Sequence, residues 1–210
     1  MKQTQLTAII AMAFVGCVFN STANAAELRV GSAETYLTIQ AAYNAASAGD
    51  TILVVDATHN EQGIAINRAA VLSITISGMG ALNTEIVGSG TNRIFTVTQG
   101  QGTFRDMTIR DGNIAGAGGG IYYYLAGGSL TIENCAVSNN TASTNDGGGV
   151  YFGGSGAQLT IVGSTFSGNG SYGSNGGGAV FVDAGSFDID SSVFSDNIAS
   201  NRGGGVRVFS

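Results

Sequence analysis

Residues able to do chemistry are few in this chain, and most stand alone. Asp188 and Asp190 lie two apart on a strand-like stretch, so both point to one side, as calcium binding or paired acid–base hydrolysis would need. Arg105-Asp106 and Arg110-Asp111 form the next group, and local ion pairing accounts for them. His59, the single histidine, lies in V-V-D-A-T-H-N-E-Q with no serine or cysteine marked as a nucleophilic partner. It reads as a packed or surface side chain. Gly78 and Gly80 lack the following helix and Lys-Ser/Thr of a phosphate loop, and read as a turn. No catalytic, cofactor-binding or metal-binding residue is assigned from the sequence.

What must position these groups is a repeat. Leu130 opens L-T-I-E-N-C-A-V-S-N-N, Leu159 opens L-T-I-V-G-S-T-F-S-G-N, and Phe187 opens F-D-I-D-S-S-V-F-S-D-N. Glycine triplets start at Gly118, Gly147, Gly176 and Gly203, a spacing of 29, 29 and 27 residues. A constant period of this size marks a solenoid. Alternation at Leu130/Ile132, Leu159/Ile161 and Phe187/Ile189 predicts short strands with one inward face. Coils stacked at about 4.8 Å would bring like positions into columns. One column is Val137, Phe166 and Phe194, inside; another is Asn140, Asn169 and Asn197, a ladder at one bend. A buried asparagine amide can be satisfied only by backbone groups or by its neighbours' amides. After each triplet a third strand is expected, at Val150 to Phe152, Ala179 to Phe181 and Val206 to Val208.

The pairing of G-G-G-I/V with F-S-x-N resembles the GGAI and FxxN repeats of chlamydial polymorphic outer membrane proteins, and more widely bacterial surface proteins built on a β-helix. The resemblance covers roughly Gly102 to Phe209. A weaker first unit aligns Phe104 and Ile109 but has Gly112 in place of the ladder asparagine. The fold expected is all-β: a right-handed, single-stranded parallel β-helix with a short N-terminal capping helix. The resemblance implies surface display and adhesion. The paired-Asp, Gly-His-Gly and Arg-x-Lys signatures of polygalacturonase-like β-helix enzymes do not occur.

Residues 1–25 read as a signal peptide: Lys2, an apolar stretch from Thr7 to Phe19, and Ala23-Asn24-Ala25 before a cleavage at Ala25/Ala26. Val15-Gly16-Cys17 offers lipoprotein anchoring as an alternative. Residues 26–50 read as a cap, a strand at Glu27 to Val30 and a helix at Ile39 to Ala46 with Thr38 as N-cap. Residues 51–210 read as β-helix, Gly-rich from about 102, with a C-terminus expected to be incomplete and a last coil expected to self-associate end to end. Formal charge is −6, and −7 without Lys2, which argues against nucleic acid and anionic membranes as partners. The partner expected is a host or cell-surface glycan or protein.

Within the repeat, Asp188 and Asp190 align with Thr160 and Val162, then Thr131 and Glu133, so no carboxylate cluster is expected. Cys135 aligns with Ser164 and Ser192 and reads as a buried thiol. Outward Thr75, Thr96, Thr108, Thr131 and Thr160 raise ice binding as an alternative, which needs a flat array that Val162, Asp188 and Asp190 interrupt. Tyr122-Tyr123-Tyr124, with Tyr151 a coil later, puts at least one aromatic outside, able to stack on a sugar ring or to shield a strand edge. The reading is an exported, non-enzymatic β-helix acting as a rigid stalk or adhesive passenger. The rivals are a polysaccharide lyase or hydrolase and a polysaccharide-binding module.

Overall fold

Period-2 strands of only a few residues cannot bury their apolar side alone; stacking them buries it continuously. The computed structural model describes residues 25–69 and 73–209. The segment read as a signal peptide, including Cys17, lies outside them, except for Ala25. Each full coil carries three strands, and all sheets are parallel. A seven-stranded first sheet runs from Glu27–Val30 through Thr51–Val54, Ser73–Ser77, Gln101–Arg105, Ser129–Glu133 and Gln158–Val162 to Ser186–Asp190. The second sheet has six rungs, from Thr58–Asn60 to Val193–Ser195. The third also has six, from Ile64–Ile66 to Val206–Val208. A four-stranded ladder of two-residue strands, Asn113–Ile114 to Ile198–Ala199, bridges the later coils.

Register is unbroken where the repeat is regular. Leu130 pairs with Leu159 and Leu159 with Phe187; Val137 pairs with Phe166 and Phe166 with Phe194. The Phe166 and Phe194 rings stack at 5.0 Å, and Phe166 is fully buried. Burial of each such side chain contributes roughly 1.5–3 kcal/mol. The bend after the second sheet is held by the asparagines. Asn169 Nδ2 donates to the Val137 carbonyl at 2.8 Å, and its Oδ1 accepts from Asn140 N at 3.1 Å. Asn140 repeats this pattern one coil earlier: Nδ2 donates to the Ile109 carbonyl, and Oδ1 accepts from Gly112 N at 2.9 Å. Gly112 itself cannot be asparagine, because a Cβ there would lie 2.1 Å from the Gly119 carbonyl oxygen. The ladder therefore starts at Asn140, and Gly112 is the donor that closes it.

The glycine triplets serve two needs. Gly118 and Gly147 take φ of 67° and 70°, the left-handed region, and a Cβ on Gly148 would lie 2.6 Å from the Gly178 oxygen of the next coil. The third strand after the triplet at Gly176 runs Val180–Val182, one residue later than expected.

At the N-terminal end the helix spans Ile39–Ala45, and Ala46 is its C-cap rather than its last residue. Thr38 Oγ1 accepts from Ala41 N at 3.1 Å, as its N-cap role requires. Ile39, Ala42 and Tyr43 are buried against the first coil. Arg68 Nη1 donates to the carbonyls of Tyr43 and Ala46, closing the helix's C-terminal end. Glu27–Val30 pairs along its whole length with Thr51–Val54, so it is the first rung of the solenoid as well as part of the cap. Ala26 N donates to Asp50 Oδ1 at 2.7 Å, and Asp50 Oδ2 accepts from Ser47 N at 2.8 Å. On the last coil Phe187, Val193, Ile198 and Phe209 are exposed.

Candidate functional site: an aromatic face on the third sheet

Most acidic side chains that could have formed a reactive centre act as ties. Glu61 accepts from Ile39 N and Gln40 N at the start of the helix, and pairs with His59 Nε2 at 2.9 Å. His59 is inward on the second sheet, in register with Ile86, and only 6% exposed. Asp56 accepts from Ser32 N; Asp146 accepts from Asn175 N and Gly176 N on the next coil. Arg110 pairs with both Glu85 and Asp111, and these contacts hold its guanidinium above its usual pKa. Arg105 and Asp106 stand 4.0 Å apart on the surface.

Asp106 and Asp111 have φ of 56° and 62°. Their counterparts in the next coils are Asn134 and Gly163, and Asn139 and Gly168, all with positive φ. Asp, Asn and Gly are the residues that tolerate this conformation, so both aspartates are at these positions for the bend. Asp188 and Asp190 are exposed and pair in register with Thr160 and Val162. Among the described residues no group of three or more His, Cys, Asp or Glu side chains could hold a metal ion. Cys135 is buried, its Sγ donating to the Glu133 carbonyl at 3.3 Å, while its own N–H donates to Ser164 Oγ. Burial pushes this thiol up to about 12.

The threonines are redistributed. Thr51, Thr75, Thr103, Thr131 and Thr160 form one register row on the first sheet, of which Thr51 and Thr103 were not among the expected positions. Thr96 is on the third sheet, and Thr108 on the second, where its hydroxyl donates to the Ala81 carbonyl. The column beside the row carries Arg105, Glu133, Val162 and Asp190, which sets charge next to the hydroxyls.

The third sheet gathers the outward aromatics. Thr96, Tyr122, Tyr151, Phe181 and Arg207 occupy one register column. Tyr122 and Tyr151 stack at 5.2 Å, and Tyr151 and Phe181 at 5.6 Å. Arg93 lays its guanidinium over the free face of Tyr122, 4.6 Å from the ring centre. Burial lowers the pKa of Arg93 and raises that of Tyr122. Tyr151 donates its hydroxyl to Asp183 Oδ2 at 2.7 Å; burial and this bond raise its pKa. Tyr123 points inward, stacked on Phe152 at 4.9 Å, with burial pushing its hydroxyl up to about 12. Tyr124 is 54% exposed.

Coil after coil of parallel strands around one apolar core is the arrangement described by a single family model, Right handed beta helix region, which matches residues 41–210. The chain belongs to this right-handed β-helix family. The match takes in every rung from Thr51–Val54 onward. No curated protein and no solved structure matches the chain. Membership of the β-helix family carries the fold, and leaves the more specific resemblance to chlamydial polymorphic proteins without a match of its own.

Proposed function

We propose that this β-helix chain is an exported, non-catalytic passenger displayed at the cell surface, a rigid rod that presents its lateral faces for adhesion. The observation that carries this reading is the use made of the acidic side chains. Glu61, Asp50, Asp56 and Asp146 each bind backbone N–H groups of another segment, and Glu85 pairs with Arg110 across two coils. Such groups stiffen a stack and are not free to move protons for a substrate. Lateral rigidity is supported further by the asparagine ladder and by the aromatic pile on the third sheet. The export signal read in residues 1–25 and the net negative charge favour a partner outside the cell that is neither nucleic acid nor anionic membrane.

The test has two arms. The chain displayed on a non-adherent bacterium is expected to confer attachment to host-cell or glycan-coated surfaces. The purified chain is expected to release no products from pectin, alginate or chondroitin, with or without calcium. Turnover that disappears in Asp188→Ala or Asp190→Ala would replace the adhesive reading with a lyase or hydrolase.

A further inference from the structure

The pile of rings on the third sheet leaves one tyrosine outside it, and we infer that Tyr124 and Asp183 form a docking site for a neutral glycan. This deepens the adhesive reading and rests on it for the biological setting only. Both faces of Tyr122 are taken, one by Arg93 and the other by Tyr151, and Tyr151 is covered in turn by Tyr122 and Phe181. Those rings cannot stack on a sugar. Tyr124 lies beside Tyr122, parallel to within 11° and 6.2 Å away, and is open to solvent.

Its own column then runs to Gly153, its register partner, and on to Asp183, which follows the paired Val182. A Cβ on Gly153 would lie 2.8 Å from the Tyr124 ring, so glycine is what lets the ring lean across that rung. The exposed ring thus lies over the rung without a side chain, and the Asp183 carboxylate follows one rung beyond it, about 5 Å further at the spacing of parallel strands. A pyranose stacked on the ring would present its hydroxyls towards that carboxylate.

A pyranose offers an apolar C–H face, which suits a tyrosine ring, and hydroxyl donors, which suit a carboxylate. Asp183 Oδ2 accepts from Tyr151, and among the described residues Oδ1 has no partner. The Tyr151 bond fixes the carboxylate's orientation. Asp183 and the chain's net charge repel uronate-containing glycans, so the ligand is neutral.

The purified full chain is titrated with cellotetraose, chitotetraose, xylotetraose and maltotetraose, and with tetragalacturonate as the anionic arm. At least one neutral tetrasaccharide is expected to bind, with tenfold or greater loss in Tyr124→Ala and in Asp183→Ala, and retention in Tyr124→Phe. Unchanged melting temperatures in these variants exclude a folding defect. Absence of neutral-sugar binding, unchanged binding by Tyr124→Ala, or preference for tetragalacturonate overturns the inference. Surface adhesion that is unaffected by Tyr124→Ala sinks this site and leaves the adhesive reading standing. Absence of adhesion sinks that reading, while the titration still decides the site.

Discussion

Asn169 and Asn197 are joined side chain to side chain, Nδ2 of the first donating to Oδ1 of the second at 2.9 Å. The same Oδ1 also accepts from Asn169 N at 3.0 Å, so Asn197, like Asn169 one coil earlier, closes both a side-chain and a backbone donor of the preceding coil. Replacing Asn169 by alanine leaves Asn140 N and the Val137 carbonyl buried without their partners. The expected cost is about 1–3 kcal/mol. Asn197→Ala should cost less, because that end of the ladder is half exposed. Urea unfolding of both variants checks the order; equal stability to the parent would remove the ladder from the account.

Repairing the first repeat unit toward its neighbours should harm the protein. Gly112→Asn supplies the missing ladder residue, but its Cβ meets the Gly119 oxygen and the Asn140 side chain. A loss of about 1–3 kcal/mol is expected from this overpacking. A stabilised Gly112→Asn would show that the neighbouring coil moves aside.

Cys135 predicts an alkaline transition. Its thiol titrates near 9 when free and is pushed up to about 12 by burial, so the folded chain holds the proton more tightly. Its contribution to stability is complete below pH 9 and declines as pH rises from there towards 12. Cys135→Ser, which reproduces the Ser164 and Ser192 positions, should fold and should move the alkaline unfolding midpoint upward. Thiol reagents at neutral pH should react with the parent only after denaturation.

Glu61 ties the helix to the first full coil. Glu61→Ala removes a carboxylate from Ile39 N, Gln40 N and His59 together. Loss of about 1.5–3 kcal/mol is expected, since hydrogen bonds to a charged group are the stronger kind. Hydrogen exchange should rise first at Ile39–Ala45 and Thr51–Val54, with the later coils unaffected. Uniform acceleration through all coils would mean that the cap is not a separate unit.

The fold was readable where one residue type recurs at one place in the coil. Asn140, Asn169 and Asn197 announce a bend because a buried amide has few ways to be satisfied. The earlier coils were harder. Thr58–Asn60 carries an inward histidine where an apolar residue was the signal, and its partner is Glu61, the residue that follows the strand. In the sequence Asp106 and Asp111 read as ion-pair partners of the neighbouring arginines. Comparison with Asn134, Gly163, Asn139 and Gly168 shows that backbone conformation selects them. Periodicity places Tyr122 and Tyr124 outside, but which of the two keeps an open face depends on Arg93 and Gly153, which come from other coils.

The contact between Ala26 N and Asp50 Oδ1 would change its nature under the leader cleavage that the proposed export entails. Cleavage after Ala25 would convert that amide into a free α-ammonium, already 2.7 Å from a carboxylate that is 7% exposed. A neutral donor would become an ion pair held from the Ser47 side as well. On that proposal, folding and removal of the leader would be thermodynamically linked: the processed chain would gain a charge-paired anchor for its first strand that the precursor lacks. Maturation would thus act as a fastening step, completing the solenoid's first rung only once the protein has left the compartment where it was made.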